Sequence, residues 1–437
     1  MSLLPGGSEP SGLHAPAVPG DSPFPPEAVG GASPARMDAA KLLFGEADFR
    51  NYWYSSAVFG LGVWGYITAQ GWVALELTDD AWKVSIASVM YFLPMFVFAL
   101  PMGVVADSWD RRKTAIVARL SAGIIVVVMT VLAATDRLTY PLLLMFAFLV
   151  GASIIAEIPA RQAYVGQIVP RTHLMQAAAL TEVQGGFSRF LGPLSAGWLL
   201  HKFGPGGGFG MFATTNFLFV WFFLRIKVSG AVPRAPGAPH PFKEMIEGFR
   251  YLGAHKDALS VALISIGAGI FGWTYLALMP LMAKHVLHGD AVTNGVLGMA
   301  VGLGSVPLSL TLATSSNLTS QGRAFVTTTL IWACGVILFS VSRTVPLSIA
   351  ALFVAGFGFG GQAILQRSLL LRIVDRMYQG RVFGTMMLTW GANIIGTLAG
   401  GALALSFGVP LVIGISGAAI IAVVGAVVAW NPKLLRL

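Results

Sequence analysis

The sequence predicts an all-α membrane protein with twelve transmembrane helices in two six-helix, pseudo-symmetric bundles. Three observations predict it: the composition, the spacing of uncharged segments, and an internal repeat. Of the 437 residues, 55% are hydrophobic and only 11% are charged, whereas about 25% of the residues of a soluble domain are charged. The composition therefore favours a membrane protein.

Twelve apolar segments are each long enough to cross a bilayer, which takes about 20 residues. They are continuous rather than alternating, so we expect helices and not the strands of a barrel. The longest uncharged run contains two segments, folded back near 406–410. The segments cover residues 52–74, 84–106, 114–134, 139–158, 176–200, 209–228, 258–281, 292–313, 324–342, 346–366, 382–405 and 409–430.

Lysine and arginine residues predict the orientation of the chain. With the N-terminus in the cytoplasm, 22 of the 28 basic residues fall in inside segments, five fall in outside segments, and Arg189 lies within a span. Basic residues concentrate on the cytoplasmic side of membrane proteins. We therefore expect both termini in the cytoplasm, and the net charge of +9 requires no nucleic-acid partner.

Four regions are predicted along the chain. Residues 1–40 are rich in Pro and Gly and form a disordered cytoplasmic tail without the features of a signal peptide. An N-terminal bundle covers 41–228, a cytoplasmic linker 229–257, and a C-terminal bundle with a short tail 258–437. The single cysteine, Cys334, permits no intrachain disulfide and no cysteine-based metal site.

The linker is predicted to contain a short amphipathic helix. Apolar side chains recur at helical spacing opposite charged ones. Such a helix lies along the membrane surface or packs under the bundle, and both interpretations stay open. The apolar positions are Phe242, Met245, Ile246, Phe249 and Leu252.

The two halves of the sequence repeat each other. Residues 148–171 align without gaps with 353–376 at an offset of 205, and 192–200 match 396–404 at an offset of 204. Repeats related by an axis along the membrane normal are typical of transporters, which handle their substrate at the interface between the repeats.

A dense charged loop, GVVADSWDRRK, separates the second and third segments. The loop resembles the signature loop of the major facilitator superfamily, with Gly103, then Asp107, then Arg111, Arg112 and Lys113. The resemblance implies that these residues help to close a cytoplasmic gate, with the Asp held by arginines or by the N-terminal end of a helix. The alternative is a basic anchor that only fixes orientation.

The loop departs from the family pattern at two positions. Ser108 stands where a basic residue usually follows the Asp, and Asp110 stands where a Gly usually precedes the basic pair. Residues 157–180, 188–197 and 247–259 resemble the enterobactin-exporter-like and macrolide-efflux-like branch more specifically. The similarity covers about residues 45–430.

The fifth segment carries SRFLGPLSAG. Small residues at Ser188, Gly192, Ala196 and Gly197 share one flank of a helix and permit close contact with another helix, and Pro193 is expected to bend it. The stretch is similar to a degenerate form of the family's proton-antiporter signature. Small-residue packing explains the same pattern.

Four ionisable residues lie inside predicted spans, where charge is costly and often functional. Glu157 and Arg161 are one helical turn apart and are expected to pair; Glu182 and Arg189 are two turns apart. Arg161 and Arg189 are predicted gating residues, and a structural ion pair is the alternative to proton handling for Glu157. Glu182 is the first candidate to carry a proton, followed by Glu157. The mid-span arginine of many proton-coupled relatives is absent from the fourth segment.

The resemblance implies a central cavity lined by spans 1, 4, 7 and 10. Here these spans and span 11 offer aromatic and uncharged polar side chains, which suit a bulky amphipathic solute. The predicted substrate-binding residues are Tyr66, Gln70, Trp273, Tyr275, Gln362, Gln366, Trp390 and Asn393.

We expect a bacterial inner-membrane transporter that exports a siderophore-like or drug-like molecule by alternating access and proton antiport. Its partners are the solute, protons and the bilayer, and it is expected to be a monomer without a cofactor. No catalytic constellation is visible, and His285 and His288 are a weak metal pair. The alternatives are an uncoupled facilitator or importer, and a transport-inactive receptor or assembly partner that uses the N-terminal tail.

Overall fold

The structure, a computed structural model, describes residues 36–170, 173–231, 241–314, 320–375 and 377–437; the side chains of 99–108 and of several other helical residues are outside this description. Fifteen α-helices and no β-strand lie in these ranges, which form one compact unit. The predicted tail lies outside the described residues except for its last five positions, which begin helix α1.

The helices of the N-terminal half are α1 (Arg36–Gly45), α2 (Ala47–Thr78), α3 (Ala81–Ser108), α4 (Arg111–Ala134), α5 (Tyr140–Ile168) and α6 (Leu174–Leu224). The linker forms α7 (Pro241–Ala254). The C-terminal half contains α8 (Lys256–Gly272), α9 (Thr274–Leu281), α10 (Ala291–Thr314), α11 (Gln321–Val341), α12 (Val345–Ile373), α13 (Gln379–Gly391), α14 (Asn393–Phe407) and α15 (Val409–Trp430). A π-helical turn covers Met282–Val286, and a 3-10 turn covers Pro432–Arg436.

In the described part of the chain, ten helices are long and apolar enough to cross a membrane. One of them belongs to α6, whose 51 residues would extend about 77 Å if straight. Gly204 leaves the helical conformation (φ 65°, ψ −166°), and Gly207 then packs against Leu199 while Gly208 packs against Leu200. The chain therefore folds back within α6. The prediction of twelve spans counts the two arms of α6 as two spans, and it counts α13 together with α14 as one span. The number twelve stays a prediction.

The internal repeat is visible in the bounds of the helices. Both α5 and α12 have 29 residues, and they begin and end 205 positions apart. Gly204 and Gly408 are 204 positions apart, and both have positive φ, at 65° and 81°. A positive φ favours glycine because a Cβ would clash with the backbone there. Each half thus makes an equivalent reversal before its last long helix.

Because successive helices run antiparallel, the connections between them fall at two ends of the bundle. We call them the Asp79 end and the Arg111 end. The Asp79 end includes residues 79–80, 135–139, 204, 287–290 and 408, and the Arg111 end includes 109–110, 169–170, 225–231 and 374–375.

The linker helix α7 rests on the C-terminal half. Leu252 is buried, Glu247 forms an ion pair with Arg381 (3.0 Å), and a Cβ on Gly248 would lie 2.6 Å from the Arg381 carbonyl oxygen. Phe249 remains exposed. One side of the helix therefore packs under the bundle, while an apolar side chain stays available to a membrane surface.

Candidate functional site between the two halves

A cavity lies between the two halves, where α2, α3 and α6 face α9, α10 and α14. Its water-accessible volume is about 50 Å³, which holds a few water molecules but not a bulky solute. A larger solute therefore requires the halves to move apart. Its lining includes Trp64, Phe92, Arg189, Trp273, Asn294 and Asn393.

Aromatic rings form the walls of this cavity. The rings of Trp64 and Trp273, one from each half, are nearly parallel, with centroids 6.5 Å apart and an angle of 14° between them. Phe92 and Phe359 meet Trp273 edge-on, each with a centroid distance of 6.0 Å. A smaller adjoining pocket is lined by Trp64, Trp273, Phe359 and the predicted residue Tyr275.

Two of the cavity side chains lie at interruptions of long helices. Trp273 separates α8 from α9, and Asn393 begins α14 directly after the break at Ala392. Both interruptions belong to the C-terminal half, and discontinuous membrane helices often form the binding site of a transporter. The predicted residues Trp273 and Asn393 line the cavity at these interruptions.

Arg189 also lines the cavity, although the sequence predicted a gating role for it. Its Nε donates to Ser305 Oγ at 3.4 Å, and the backbone of Arg189 packs directly on Gly302. A glycine is required at 302 because a Cβ there would overlap that backbone. The N-terminal half therefore places a guanidinium group against the C-terminal half, within the cavity.

Small residues close the cavity towards the Asp79 end. A Cβ on Gly197 would lie 2.6 Å from the Ala291 carbonyl oxygen, and a Cβ on Gly295 would lie 2.6 Å from the Pro193 carbonyl oxygen. Such distances are too short for any side chain, so α6 and α10 touch backbone to backbone. Any passage towards this end requires the two helices to separate.

Charged groups join the halves at the same end. Asp79 accepts from Lys284 Nζ at 2.8 Å and contacts His285 Nε2 at 3.0 Å, while His201 Nδ1 lies 2.9 Å from Asp290 Oδ2. The hydrogen bond from Lys284 and the nearby positive charges lower the pKa of Asp79. Burial raises the pKa of Asp290, but hydrogen bonds from Thr293 and the charge of His201 outweigh it and lower that pKa.

The two histidines considered from the sequence as a metal pair lie at this end. His285 faces Asp79, and His288 adopts a left-handed conformation with φ 52°. Among the described residues, no group of three or more His, Cys, Asp or Glu residues is arranged to hold a metal ion.

A buried charged cluster lies inside the N-terminal half. Glu157 accepts from Arg161 Nε at 2.6 Å and from Arg119 Nη2 at 2.7 Å. Arg161 also donates to Ser56 Oγ at 3.1 Å, and Arg119 to Asn216 Oδ1 at 3.3 Å. The predicted Glu157–Arg161 pair is present, and Arg119 completes it.

Sequence reasoning missed Arg119, which it counted among the cytoplasmic anchors. The available signal was that Arg119 is the only charged residue between 114 and 134. Its guanidinium lies 4.0 Å from the ring centroid of Phe59, and that of Arg161 lies 4.8 Å from the same ring. Two arginines and one glutamate leave the cluster with one net positive charge.

The basic run at the start of α4 binds helix ends. Arg111 donates to the Ala163 carbonyl and Arg112 to the Leu224 carbonyl, at 3.2 and 2.8 Å. Asp110 caps α4 by accepting from the Lys113 backbone N–H at 2.9 Å. The Leu224 carbonyl and the Lys113 N–H are groups that a helix end leaves without partners, and these contacts satisfy them. The side chains of the predicted gate residues Gly103 and Asp107 lie outside the described residues.

The SRFLGPLSAG stretch packs α6 against α2. Ser188 donates to the Ala57 carbonyl at 3.3 Å, and a Cβ on Gly192 would lie 2.8 Å from the Leu61 carbonyl oxygen. Gly197 faces α10 instead. Small-residue packing thus accounts for this stretch on two sides of the helix.

Several predicted cavity residues lie elsewhere. Tyr66 is fully buried in the N-terminal half against Phe212, and Gln70 donates to the Ala87 carbonyl at 2.6 Å. Gln362 is buried in α12, and Gln366 contacts Met386 Sδ at 3.8 Å. None of these four predicted residues lines the described cavity. The side chains of Glu182 and Trp390 lie outside the described residues.

Sequence comparison places the chain among known proteins. A family model described as "Transmembrane secretion effector" matches residues 43–435. The enterobactin exporter EntS of Escherichia coli O1:K1 / APEC is 27% identical over 336 residues, which cover 75% of this chain and 77% of the exporter. EntS of Shigella flexneri matches over the same lengths at the same identity.

Solved structures share the fold. A mutant of the peptide transporter POT superposes with a TM-score of 0.74 at 12% identity, covering 93% of this chain and 99% of its own. A mutant of the nucleoside transporter NupG gives 0.68 at 14%, covering 88% and 100%. A bacterial homologue of the human lysosomal transporter Spinster, inward-facing and unoccupied, gives 0.62 at 13%, covering 93% and 97%. The predicted all-helical transporter fold is confirmed.

Proposed function

We propose that this chain, which belongs to the transmembrane secretion effector family of the major facilitator superfamily, exports a bulky amphipathic small molecule in exchange for protons. The family and the relatives are transporters, so the chain is a secondary transporter and not an enzyme. The direction, the coupling ion and the class of solute are the proposal.

The single observation that carries the proposal is the cavity closed at one end by contacts between the two halves. Backbone packing of Gly197 against Gly295 and the ion pair of Asp79 with Lys284 hold this end together. Both sets of contacts join one half to the other, so a rocking motion of the halves would break them together. Alternating access needs a closure of this kind on each side of a central site.

Export is supported by the two sequence relatives, both of which are named enterobactin exporters, and by the distribution of charge. Basic residues concentrate at the Arg111 end, which we assign to the cytoplasm of a bacterial inner membrane together with both termini. In this orientation the solute enters at the Arg111 end and leaves at the Asp79 end. We propose that a monomer is sufficient, because each chain provides both halves.

Glu182 is the proposed proton carrier. Each carboxylate oxygen of Glu157, the second candidate, already accepts from an arginine, so a proton would have to displace one of these donors. This favours a structural role for Glu157. Glu182 lies on α6, the helix that also carries Arg189 into the cavity, and a carboxyl group on that helix could couple protonation to movement of the halves.

Proteoliposomes with an acidic lumen and an enclosed pH dye test the proposal. Siderophores and lipophilic drugs are added outside, one at a time, to the wild type, Glu182→Gln and Glu157→Gln. Asp136→Asn is the matched control, because Asp136 lies in an exposed turn with positive φ, which Asn tolerates. We expect one compound to trigger proton efflux in the wild type and the control, but not in Glu182→Gln.

Each other outcome changes a part of the proposal. Efflux that persists in Glu182→Gln removes that residue as the carrier and keeps antiport. A radiolabelled compound that equilibrates without any proton movement would indicate an uncoupled facilitator. If no compound moves, and if deletion of residues 1–40 abolishes the phenotype that the protein confers on cells, the chain is a transport-inactive receptor or assembly partner instead.

A further inference from the structure

We propose that Asn393 and Thr397 form a hydrogen-bonding site for an uncharged amide group of the solute. This inference rests on the proposed function, because it names the chemical class of solute that the same cavity would take. Both residues lie on α14, and both line the cavity between the halves. Three features carry the inference: the burial of the two side chains, their unused hydrogen-bonding groups, and their spacing along the helix.

The side chains of Asn393 and Thr397 are buried without a hydrogen-bond partner. The two residues are only 4% and 6% exposed, and neither side chain donates or accepts a hydrogen bond in the described part of the structure. Buried polar groups are usually paired, because an unpaired one destabilises the folded protein. The amide and the hydroxyl group are therefore available to a molecule that enters the cavity.

Other hydroxyl groups of the same cavity are already satisfied. Thr68 donates to the Trp64 carbonyl at 3.0 Å, and Ser88 donates to the Val84 carbonyl at 3.2 Å. Each of these bonds joins residues four positions apart on one helix, which is the usual solution for a buried hydroxyl group. Thr397 does not use it, and its hydroxyl group stays open to the cavity.

The packing of α14 fixes the face that carries the two groups. The helix begins at Asn393, directly after the break at Ala392. Thr274 Oγ1 donates to the Gly396 carbonyl at 3.3 Å, and a Cβ on Gly396 would overlap the Ile270 carbonyl oxygen. Since α14 is held so closely against α8 and α9 at Gly396, its rotation about its own axis is determined.

The spacing of the two residues suits a planar amide. Side chains four residues apart lie on one face of a helix, with Cβ atoms about 5–6 Å apart. An Asn amide offers donors and an acceptor, and a Thr hydroxyl group offers both roles. The C=O and N–H of a trans amide point in opposite directions, so one such group would bridge Asn393 and Thr397. A solute hydroxyl group has a single oxygen atom and would reach only one of them.

Asn294 is a further buried cavity side chain that has no partner among the described residues. It lies three residues after the start of α10 at the Asp79 end, whereas Asn393 lies 14 residues before the end of α14 at the same end. At about 1.5 Å per residue, the two are separated by about 16 Å along the bundle. One amide group cannot reach both, so the proposed site excludes Asn294.

Water is the competing occupant of the site. The cavity has room for a few water molecules, and water also satisfies buried polar groups. A site that only holds water would not distinguish solutes by their hydrogen-bonding groups. The absence of such a preference is therefore an outcome that overturns the inference.

The test measures binding of naphthalene probes to the full chain in lipid nanodiscs, with binding to empty nanodiscs subtracted. The probes share one ring system and differ in its polar group: N-methyl-2-naphthamide, N,N-dimethyl-2-naphthamide, 2-naphthalenemethanol and 2-ethylnaphthalene. We expect the N-methyl amide to bind about tenfold more tightly than the N,N-dimethyl amide. The second methyl group removes the donor and leaves a group of the protein unpaired. The alcohol and the hydrocarbon should also bind more weakly than the N-methyl amide.

Variants assign the preference to the two residues. Asn393→Leu and Thr397→Val should each reduce the preference for the N-methyl amide over 2-ethylnaphthalene about tenfold. Thr68→Val is the matched control, because it makes the same change in the same cavity but removes a hydroxyl group that is already paired within α2. The control should keep the full preference.

The melting temperature without a probe separates a ligand site from a structural one. Since Thr397 has no partner to lose, Thr397→Val should melt no lower than the control Thr68→Val, which breaks a bond within its helix. A lower melting temperature of Thr397→Val would show that its hydroxyl group stabilises the fold and would overturn the inference. This comparison stays decisive if Asn393→Leu fails to fold.

Two binding results would also overturn the inference: equal affinity of the N-methyl amide and the alcohol for the wild type, or full preference for the amide in Thr397→Val. The proposed function is tested separately by the proteoliposome assay with siderophores and drugs. Transport in that assay without any amide preference would overturn this inference and leave export intact. An amide preference without movement of any compound would support the site and contradict export.

Discussion

Asp79 of the N-terminal half and Lys284 of the C-terminal half meet at the Asp79 end, where their Oδ1 and Nζ atoms lie 2.8 Å apart. Opposite charges thus face each other across the boundary between the halves. Their attraction acts only when the halves approach each other at this end. The pair is therefore well placed to bias the closed form without affecting either half alone.

Removal of this pair should favour opening at the Asp79 end. Asp79→Asn keeps a residue that tolerates the positive φ of 48° but removes the charge, and Lys284→Gln removes the partner. Because both side chains are partly exposed to solvent, each change should shift the closed-to-open ratio by less than about fivefold. In a double-mutant cycle the second change should add little to the first. Equal, additive shifts would show that the two residues act independently.

The measurement uses the cysteine content of the chain. Cys334 is its only cysteine, so Cys334→Ser gives a cysteine-free background for Ser88→Cys, a position in the cavity lining. A membrane-impermeant maleimide applied from the Asp79 side then reports opening through its labelling rate. Lys83→Gln, in the exposed first turn of α3, serves as the charge control and should leave the rate unchanged.

Gly295→Val should open the same end more strongly. A Cβ at 295 would lie 2.6 Å from the Pro193 carbonyl oxygen, so the valine cannot be accommodated while α6 and α10 touch. We expect the labelling rate at Ser88→Cys to rise about tenfold, because overpacking costs about 1–3 kcal/mol and about 1.4 kcal/mol changes the closed-to-open ratio tenfold. Gly425→Val is the matched control, since no atom lies within 4 Å of a Cβ there. A rate equal to that of the control would contradict backbone contact at this closure.

Opening of the Asp79 end at acid pH should come from protonation of Asp79. The hydrogen bond from Lys284 lowers the pKa of Asp79 in the closed form, so its contribution to closure is complete above the ordinary value of about 3.9 and is lost as the pH falls through the lowered pKa. The comparison uses a protein in which His201 and His285 are also replaced. In that protein, the difference in labelling rate at Ser88→Cys with and without Asp79→Asn should be constant above about pH 5. A difference that disappears between pH 7 and 5 would show that another group controls closure.

Glu157→Gln should destabilise the protein severely. The change leaves Arg119 and Arg161 buried without a counter-charge, and a broken buried ion pair costs about 3–5 kcal/mol. Arg119→Met combined with Glu157→Met should be less destabilising than Glu157→Gln, because one unpaired charge is removed with its partner. Thermal unfolding in detergent measures both, with the exposed Arg372→Gln as control. A melting temperature of Glu157→Gln equal to that of the control would show that the cluster is not structural.

The cluster also illustrates how far the sequence could predict the site. The Glu157–Arg161 pair follows from a spacing of four residues on one helix, which is a local property. The Arg119–Glu157 contact joins residues 38 positions apart on two helices, and no periodicity within one helix encodes it. The lengths of the apolar segments and the internal repeat predicted the architecture because both are properties of continuous stretches of chain.

The cavity shows the opposite case. Tyr66 was predicted to line it, whereas Trp64 does. Two residues along a helix correspond to about 200° around its axis, so these side chains point to nearly opposite sides of α2. Since α2 is apolar on all sides, its sequence does not indicate which side faces the C-terminal half. The packing of α2 against α6 decides it, through several glycines that include Gly65 and Gly192.

The contacts of α7 have a practical consequence for producing the two halves as separate polypeptides. Glu247 is paired with Arg381, and Tyr251 donates to Asp375 Oδ2 at 3.2 Å, so both contacts anchor this helix to the C-terminal half. A gene split between codons 231 and 241 keeps those contacts within one fragment. A split after His255 would transfer α7 to the wrong fragment and expose the surface that it covers, so co-expressed fragments should assemble only from the earlier break.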